Sequence, residues 1–484
     1  MYKDDGEYNK SEELGTKRRK IIKDDEHNLE LVAAEEEDQI SKLPHEVVVS
    51  IVSLLTLKEA AATSILFRRW RYVWASTTTL NFEAVNFEDR NTLDYFYRLD
   101  EDILNQEGRK YVNWVNRVLE QHRGQSIERF RVIFFLDKGF TSDIDKWIQF
   151  AMEKRVQVLQ LDLLAEWVNY SPHDYAFPYK LLGFKSLKVI RFRHVAVTGE
   201  LVEFLLSNCP LLERVSLTIA RDLTHLRVVS PSIALKYLEI KYCQQLENIE
   251  ISNANIVSFV FCGFLVPLHL KNVPRLVEVA INKLGNYYSE FIRFAFSQLS
   301  PCLSHLEILK LDIREAVYNP NHVFPILANL KHLQLLVDAD HYLSLGRLAS
   351  FMKAAPYMRT LNLGLGMGTP DWKTAIIEKA TAKCPHHYLK EVEISGYRGY
   401  ECYVEHVMYL KMNVVALEKI IINPFRFWCW PTGNESNGLE VNEEEDARDH
   451  AIRYLQQNCP LPYNMYASSY KSVRKMMQKL RSCY

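Results

Sequence analysis

A six-residue pattern recurs along the chain, with apolar residues at its first, fourth and sixth positions. It first appears as IERFRV at Ile127 and last as LEKIII at Leu417. Between them the copies begin at Val156, Leu187, Leu212, Leu235, Ile256, Leu276, Leu306, Leu330, Met358 and Leu389. Because the final residues of each copy alternate between apolar and polar, each copy predicts a short strand with one buried face.

Successive copies begin about 20 to 31 residues apart, which is the period of leucine-rich repeats. In such repeats the strands stack in parallel and the chain between them returns over the convex side of the core. We therefore predict an α/β fold, an irregular leucine-rich-repeat solenoid over residues 79–384, with helical or extended return segments.

The segments between the strands indicate two kinds of return. LVEFLLSNCP, before Leu212, predicts a helix, whereas half-step copies at Leu223 and Leu246 predict extended returns. A small residue followed by a helix-stopping proline predicts a helix end with a buried small side chain. This pair occurs at Cys209-Pro210, Ala355-Pro356 and Cys384-Pro385.

The N-terminal part of the chain has a different pattern. Residues 1–37 are dominated by charge and predict a disordered tail. Apolar residues then recur at helical spacing after Leu43-Pro44, which favours a helix start. They are Val47, Val48, Ile51, Val52 and Leu55. Two further helices are predicted from Lys58 to Ser64 and from Leu66 to Ala75.

Composition narrows the classes of partner. The 484 residues carry a formal net charge of -1, which gives no overall basic field for nucleic acid. The longest apolar stretch, Ile256 to Leu268, is too short to span a bilayer and contains Gly263 and Pro267, so we expect a soluble protein without a membrane partner. Nine scattered cysteines indicate reduced, mostly buried thiols in an intracellular protein.

Three fragments have a superficial likeness to catalytic or ligand-binding motifs. The glycines at 364, 366 and 368 lack the third glycine of a dinucleotide fingerprint, because Thr369 follows, and a loop leaving a strand explains them better. His45-Glu46 lacks the second histidine of the zinc-protease motif, since position 49 is Val49. The histidines after Cys384-Pro385 lack a fourth ligand and favour a cap between helix and strand. We predict no catalytic, cofactor-binding or metal-ligating residue, and no enzyme.

From Asp38 to Trp74 the sequence DQISKLPHEVVVSIVSLLTLKEAAATSILFRRWRYVW resembles the F-box, particularly that of plants. The resemblance implies a small three-helix module at residues 38–78 that docks on the SKP-family linker subunit of SCF-type ubiquitin ligases. Its docking ridge would be formed by Leu43, Pro44, Val47, Ile51 and Leu55, and its third helix would be packed by Trp70 and Trp74. His45 replaces the usual acid of the family, and Thr56 stands where proline is common.

The C-terminal region resembles a second plant element. Residues Leu389 to Pro424 are similar to the FBD region that follows leucine-rich repeats, and ARDHAIRYLQQNCP, from Ala447 to Pro460, is similar to its closing helix. We therefore assign residues 385–484 to an FBD region with C-terminal helices, which would continue the repeat and cap its end.

These resemblances imply a substrate receptor without catalytic residues or cofactors, whose partners are the linker subunit, a cullin reached through it and an unknown target protein. Target-facing residues are expected at the variable polar positions of the repeated pattern, namely Arg191, Ser216, Glu239 and Lys310. The basic cluster Lys17, Arg18, Arg19 and Lys20 is either a solvated charge run or a nuclear import signal, so the expected location is nuclear and/or cytoplasmic. The alternative function is an interaction scaffold whose F-box no longer engages a ligase.

Overall fold

The computed structural model describes residues 43–65, 68–83, 95–96, 98–163, 175–178, 184–229, 234–284, 291–314, 324–338, 343–366, 385–424, 445–455 and 464–467. The predicted tail and its basic cluster lie outside these residues. The chain divides into two compact units: residues up to Leu80 together with 121–125, and the remainder. The module and repeat boundaries given above stay predictions.

The first unit is helical. It contains α1 His45–Val52, α2 Leu57–Ala62 and two 3₁₀-helices, Thr63–Ile65 and Arg68–Ser76. The third predicted helix is therefore 3₁₀ rather than α. Trp70 and Val73 are both buried and lie three residues apart, and a helix of three residues per turn places such a pair on one side.

The second unit is built on parallel strands. Their bounds are β1 Thr79–Glu83, β2 Arg129–Ile133, β3 Val158–Asp162, β4 Tyr175–Ala176, β5 Val189–Arg193, β6 Val195–Ala196, β7 Arg214–Thr218, β8 His225–Val229, β9 Tyr237–Lys241, β10 Asn248–Ser252, β11 Ser258–Gly263, β12 Leu268–Lys271, β13 Glu278–Lys283, β14 Ile308–Asp312, β15 His332–Asp338, β16 Thr360–Gly366, β17 Glu391–Ser395, β18 Lys419–Asn423 and β19 Asn464–Ala467. β1 enters this unit from Asn81 onward.

Fourteen of these strands form one sheet in the order β1-β2-β3-β5-β7-β9-β11-β13-β14-β15-β16-β17-β18-β19. Every copy of the repeated pattern forms one of them, and the apolar fourth and sixth letters of each copy point into the core. In β9, for example, Leu238 and Ile240 are fully buried. The predicted α/β fold with a repeating parallel sheet is confirmed.

The return segments are mixed, as the sequence predicts. The helices of this unit are α3 Glu101–Gln121, α4 Thr141–Glu153, α5 Gly199–Asn208, α6 Phe291–Leu299, α7 Leu343–Ala354 and α8 Glu401–Asn413, with a short 3₁₀-helix at Lys138–Phe140. The half-step copies at Leu223 and Leu246 form β8 and β10, which pair with each other, and β10 also pairs with β12 in this separate parallel sheet. The helical return before Leu212 is α5.

The helix ends also follow the predicted rule. Cys209 is the C-cap of α5, and Ala355 follows α7; both are buried. Cys384 lies outside the described residues. The glycine loop predicted at Gly364 is wrong, because β16 continues through Gly366 and pairs with β15 along its whole length. Hydrogen bonding to a neighbouring strand overrides the preference of glycine for loops.

Five strands are followed directly by a residue with left-handed backbone geometry. Positive φ values of 50 to 56° occur directly after β5, β7, β9, β10 and β12. The residues are His194, Ile219, Tyr242, Asn253 and Asn272. This conformation is costly for a β-branched side chain such as Ile219. Its recurrence after strands of both parallel sheets shows that the repeat geometry imposes it.

The C-terminal region extends the sheet. β17, α8 and β18 repeat the strand–helix–strand order, and β18 pairs in parallel with both β17 and β19. In the predicted closing helix, residues 445–450 are α-helical and continue into a π-helix at Ala451–Leu455, while residues 456–460 lie outside the described part of the chain. The strand β19 that follows it had no signal in the repeated pattern.

His386 joins two turns of this region. Its Nε2 donates to the carbonyl oxygen of Ala355 at 2.9 Å, and its Nδ1 accepts from the amide of Leu389 at 3.0 Å. The ring is buried and neutral in this arrangement, because an amide can only donate. Burial lowers the pKa of His386 below its ordinary value of 6.5, and His387 adds to the effect, while the bond to Ala355 opposes it.

We expect this histidine to make stability fall in mild acid. The unfolded state takes up a proton as the pH falls through about 6.5, whereas the folded state does so only at lower pH, so the free energy of unfolding decreases in that window. The measurement is urea denaturation at several pH values between about 7.5 and 5.5, for the wild type and His386→Asn. The variant, less stable at neutral pH, should lose less stability on acidification; parallel curves would contradict the assignment.

Candidate functional site

One helix of the first unit has an apolar stripe on its exposed side. Val47 and Ile51 on α1, and Leu55 just beyond it, are 41%, 39% and 38% exposed. Their spacing of four residues places them on one face. Leu54 and Ile65 are exposed further, at 86% and 85%.

The other side of the same helix forms the core of the unit. Val48 and Val52 are fully buried and pack with Ala60, Trp70 and Val73. Leu43, Val49 and Trp74 pack against this cluster and are partly buried. A shift of one residue turns a helix by about 100°, so the consecutive valines divide between core and surface. Exposed clusters of aliphatic side chains are uncommon on soluble proteins, which makes this stripe a candidate contact surface.

The start and the end of α1 hold the stripe in place. Pro44 is the exposed N-cap of α1, and its carbonyl oxygen accepts from the amides of Val47 and Val48. Thr56 caps α2: its Oγ1 accepts from the amide of Glu59, whose carboxylate accepts from the Thr56 amide at 3.0 Å. Thr56 therefore replaces the usual proline with a working helix cap.

The sheet of the second unit carries a row of side chains on the face opposite the core, partly exposed except at Val260 and Ala280, which are buried. The fifth letter of each repeat copy aligns with the fifth letter of its neighbours. Arg191, Ser216 and Glu239 are consecutive members of this row, on β5, β7 and β9. Lys310, on β14, is separated from them by Val260 and Ala280. The structure thus brings the four predicted target-facing residues into one row.

Several side chains on this face of the sheet form hydrogen bonds or ion pairs with one another. The Glu239 carboxylate accepts from Ser216 Oγ and pairs with Lys241 Nζ. Lys310 Nζ lies 2.7 Å from Glu278 Oε1. Burial raises the pKa of Glu278, but Lys310, with smaller contributions from Ser258 and His332, lowers it, so that pKa lies below its ordinary value. Ion pairs of this kind fix the side chains of the row in defined positions.

The sequence-based predictions did not include every residue of the apolar stripe on the first unit or of the row on the sheet. Leu54 and Ile65 have no special spacing, and only the bends after α1 and α2 expose them. The complete row was accessible from the sequence, because the fifth letter of each copy gives its members. They are Arg131, Gln160, Arg191, Ser216, Glu239, Val260, Ala280, Lys310, Gln334, Asn362, Glu393 and Ile421.

The cysteine thiols that the structure describes, which could act as nucleophiles or metal ligands, are buried in the packed core. In the described residues these are the thiols of Cys209, Cys243, Cys262 and Cys302. Burial raises the pKa of Cys209 to about 11, which keeps its thiol protonated and unreactive at neutral pH. Within the same residues no three His, Cys, Asp or Glu side chains converge to hold a metal ion. No helix of that part of the chain is long and apolar enough to cross a membrane.

Comparison with known protein families assigns the repeat region to a family. The leucine-rich-repeat domain family At1g61320/AtMIF1 matches residues 182–436, from the segment before β5 to beyond β18. The chain belongs to this family. The match therefore includes the strands that carry the row from Arg191 onward, as well as the segment that resembles the FBD region.

Three relatives from Arabidopsis thaliana cover most of the chain. The putative F-box/FBD/LRR-repeat protein At5g62970 is 25% identical over 410 residues, which are 73% of this chain and 85% of that protein. The F-box/FBD/LRR-repeat protein At5g22700 is 24% identical over 434 residues, covering 79% and 92%. The putative F-box/LRR-repeat protein At4g15060 is 23% identical over 372 residues, covering 68% and 80%. The predicted resemblance to plant F-box/leucine-rich-repeat proteins is confirmed.

Proposed function

We propose that this protein is a substrate-recognition subunit of an SCF-type cullin-RING ubiquitin ligase. The observation that carries the proposal is the division of α1, whose buried face holds the first unit together while Val47 and Ile51 remain exposed beside Leu55. A helix that keeps such a stripe in water is suited to fill an apolar groove on a partner. The partner proposed is a SKP-family linker subunit, with a cullin reached through it.

The second unit supplies the other half of the proposed function. Its polar row, with Arg191, Ser216, Glu239 and Lys310, is where we propose that the target protein binds. Holding a target beside a ubiquitin-charged enzyme raises its effective concentration, so the chain itself needs no catalytic residue and no cofactor. We place the protein in the nucleus and/or cytoplasm.

The proposal predicts that Ile51→Asp abolishes binding to a SKP-family linker subunit. A carboxylate buried at the centre of an apolar interface lacks a partner, and we expect the affinity to fall at least about a hundredfold. Because Ile51 is already 39% exposed, the variant should keep its fold. The measurement is calorimetric titration of the purified chain with the linker subunit, with circular dichroism to establish folding.

His45→Asp is the matched control, since it adds the same carboxylate to the exposed first turn of the same helix. An acid there is favourable next to the helix N-terminus, and binding should be unchanged. Absence of binding by the folded wild type would reject the ligase proposal and favour the interaction scaffold. Equal losses in both variants would mean that the stripe is not the docking site.

A further inference from the structure

Charge is unevenly distributed along the solvent side of the large sheet. Four strands near its N-terminal edge, β2, β3, β5 and β7, carry five arginines and a single acid, Asp162. The arginines are Arg129, Arg131, Arg191, Arg193 and Arg214. All occupy the first, third or fifth residue of their strands, so their side chains lie on one face.

The strands that follow reverse this balance. From β9 to β18 the charged residues are lysines and a larger number of acids. On this face of the large sheet the lysines are Lys241, Lys310 and Lys419, and the acids are Glu239, Glu278, Asp312, Asp338, Glu391 and Glu393. The arginine-rich part is therefore a bounded patch, with Glu83 of β1 on one side and Glu239 of β9 on the other.

Two of the arginines are paired with acids. Arg131 lies 3.0 Å from Glu83, and Arg193 lies 3.4 Å from Asp162. Arg129, Arg191 and Arg214 form no ion pair with any residue in the described part of the chain. Arg214 instead stacks its guanidinium over the ring of Tyr237, 4.5 Å from the centroid. This contact attracts the guanidinium to the aromatic ring but does not neutralise its charge.

Arg191 is the centre of the unpaired group. Arg191 is half-buried. Its pKa lies below the ordinary value, mainly because of burial and further because of the charges of Arg214 and Arg129. Glu239 opposes the shift, but its carboxylate is already engaged by Ser216 and Lys241. Like charges gathered on a rigid sheet repel one another, and an anion bound among them would remove this repulsion.

We propose that the cluster of Arg129, Arg191 and Arg214 binds an extended peptide segment with closely spaced anionic side chains. Taking that segment to belong to a ubiquitylation target rests on the proposed function; the binding itself does not. Guanidinium groups fit carboxylate and phosphate oxygens in pairs, so aspartate, glutamate and phosphoserine share the required chemistry.

The size of the patch favours a peptide over a long polyanion. Four strands at about 4.8 Å spacing span about 14 Å, the length of four or five extended residues. A uniformly charged polymer such as a nucleic acid would extend past this span and meet Glu83 or Glu239. A short anionic run with uncharged flanks avoids both carboxylates.

Fluorescence anisotropy of labelled dodecapeptides tests the proposal with the full chain and without any linker subunit. One peptide carries aspartates at alternate central positions, a second phosphoserines and a third asparagines. The first two report the source of the negative charge, and at least one must bind at moderate salt while the asparagine peptide does not. Binding that persists when the linker subunit fails to bind separates this inference from the ligase proposal.

Arg191→Gln should lower the affinity for the anionic peptide about tenfold or more, because a hydrogen bond to a charged group is lost. Arg227→Gln is the matched control on β8, in the separate sheet, and should leave binding unchanged. The melting temperature of Arg191→Gln should stay equal or rise, since repulsion is removed. A clear drop in that temperature would assign Arg191 a structural role and overturn the proposal. Equal binding of the asparagine peptide, or tighter binding of a single-stranded oligothymidylate of matched charge, would also overturn it.

Discussion

Phe259→Ala is expected to lower the free energy of unfolding of the repeat unit by about 3–5 kcal/mol. Phe259 is fully buried in β11, where its register partners are Leu238 on β9 and Val279 on β13. Removing the ring leaves a cavity that touches both neighbouring strands. Because each repeat is stabilised only by its neighbours, one such cavity weakens two interfaces at once.

Phe264→Ala is the matched control for this substitution. Phe264 follows β11 directly and is 43% exposed, so the same truncation leaves no enclosed cavity. We expect its cost to stay below about 1 kcal/mol. The measurement is urea denaturation of both variants, followed by fluorescence and by circular dichroism, since a repeat protein need not unfold in one step. Similar costs in both variants would contradict the described core.

Gly199→Ala is the second change with a large expected effect. A Cβ on Gly199 would lie 2.0 Å from the carbonyl oxygen of His225. Gly199 is the first residue of α5, and His225 is the first residue of β8. Both atoms belong to the backbone or are fixed to it, so no change of rotamer relieves the clash. The helix and the strand must move apart, at a cost of about 3 kcal/mol.

The readout for Gly199→Ala is the melting temperature together with hydrogen exchange of the amides in β8. Exchange there should accelerate more than exchange in β14, which belongs to the large sheet and not to the sheet of β8. Gly139→Ala provides the comparison, because its Cβ would meet only the side-chain Oδ1 of Asp137, at 2.9 Å. That carboxylate can rotate away and lose only its hydrogen bond from the Gly139 amide, so the expected loss is about 1 kcal/mol. A Gly199→Ala protein as stable as the wild type would mean that α5 and β8 are not in this close contact.

The repeated pattern predicted most of the second unit. Alternation along a strand is a local property, because the pleat directs successive side chains to opposite faces whatever strand lies beside them. The twelve copies therefore predicted twelve strands, and the half-step copies at Leu223 and Leu246 predicted extended returns. β1 and β19 were missed because they lie outside the register of the pattern, and only pairing with β2 and β18 makes them part of the sheet.

The sequence by itself determined which side of each strand faces the core, so it named Arg191, Ser216, Glu239 and Lys310 as positions on the other face. It did not determine that Val260 and Ala280 on that face are buried as well. It also determined the stripe that includes Val47 and Ile51, through helical spacing, although not the exposure of Leu54 and Ile65.

Only the tertiary structure decided which of these side chains are neighbours. Arg193 and Asp162 lie on adjacent strands but are separated by a whole repeat in sequence, as are Lys310 and Glu278. Parallel strands join such distant residues through a register that depends on packing of the entire return segment. For this reason the same arginine side chain is neutralised at position 193 and left among like charges at position 191, a difference that no local pattern encodes.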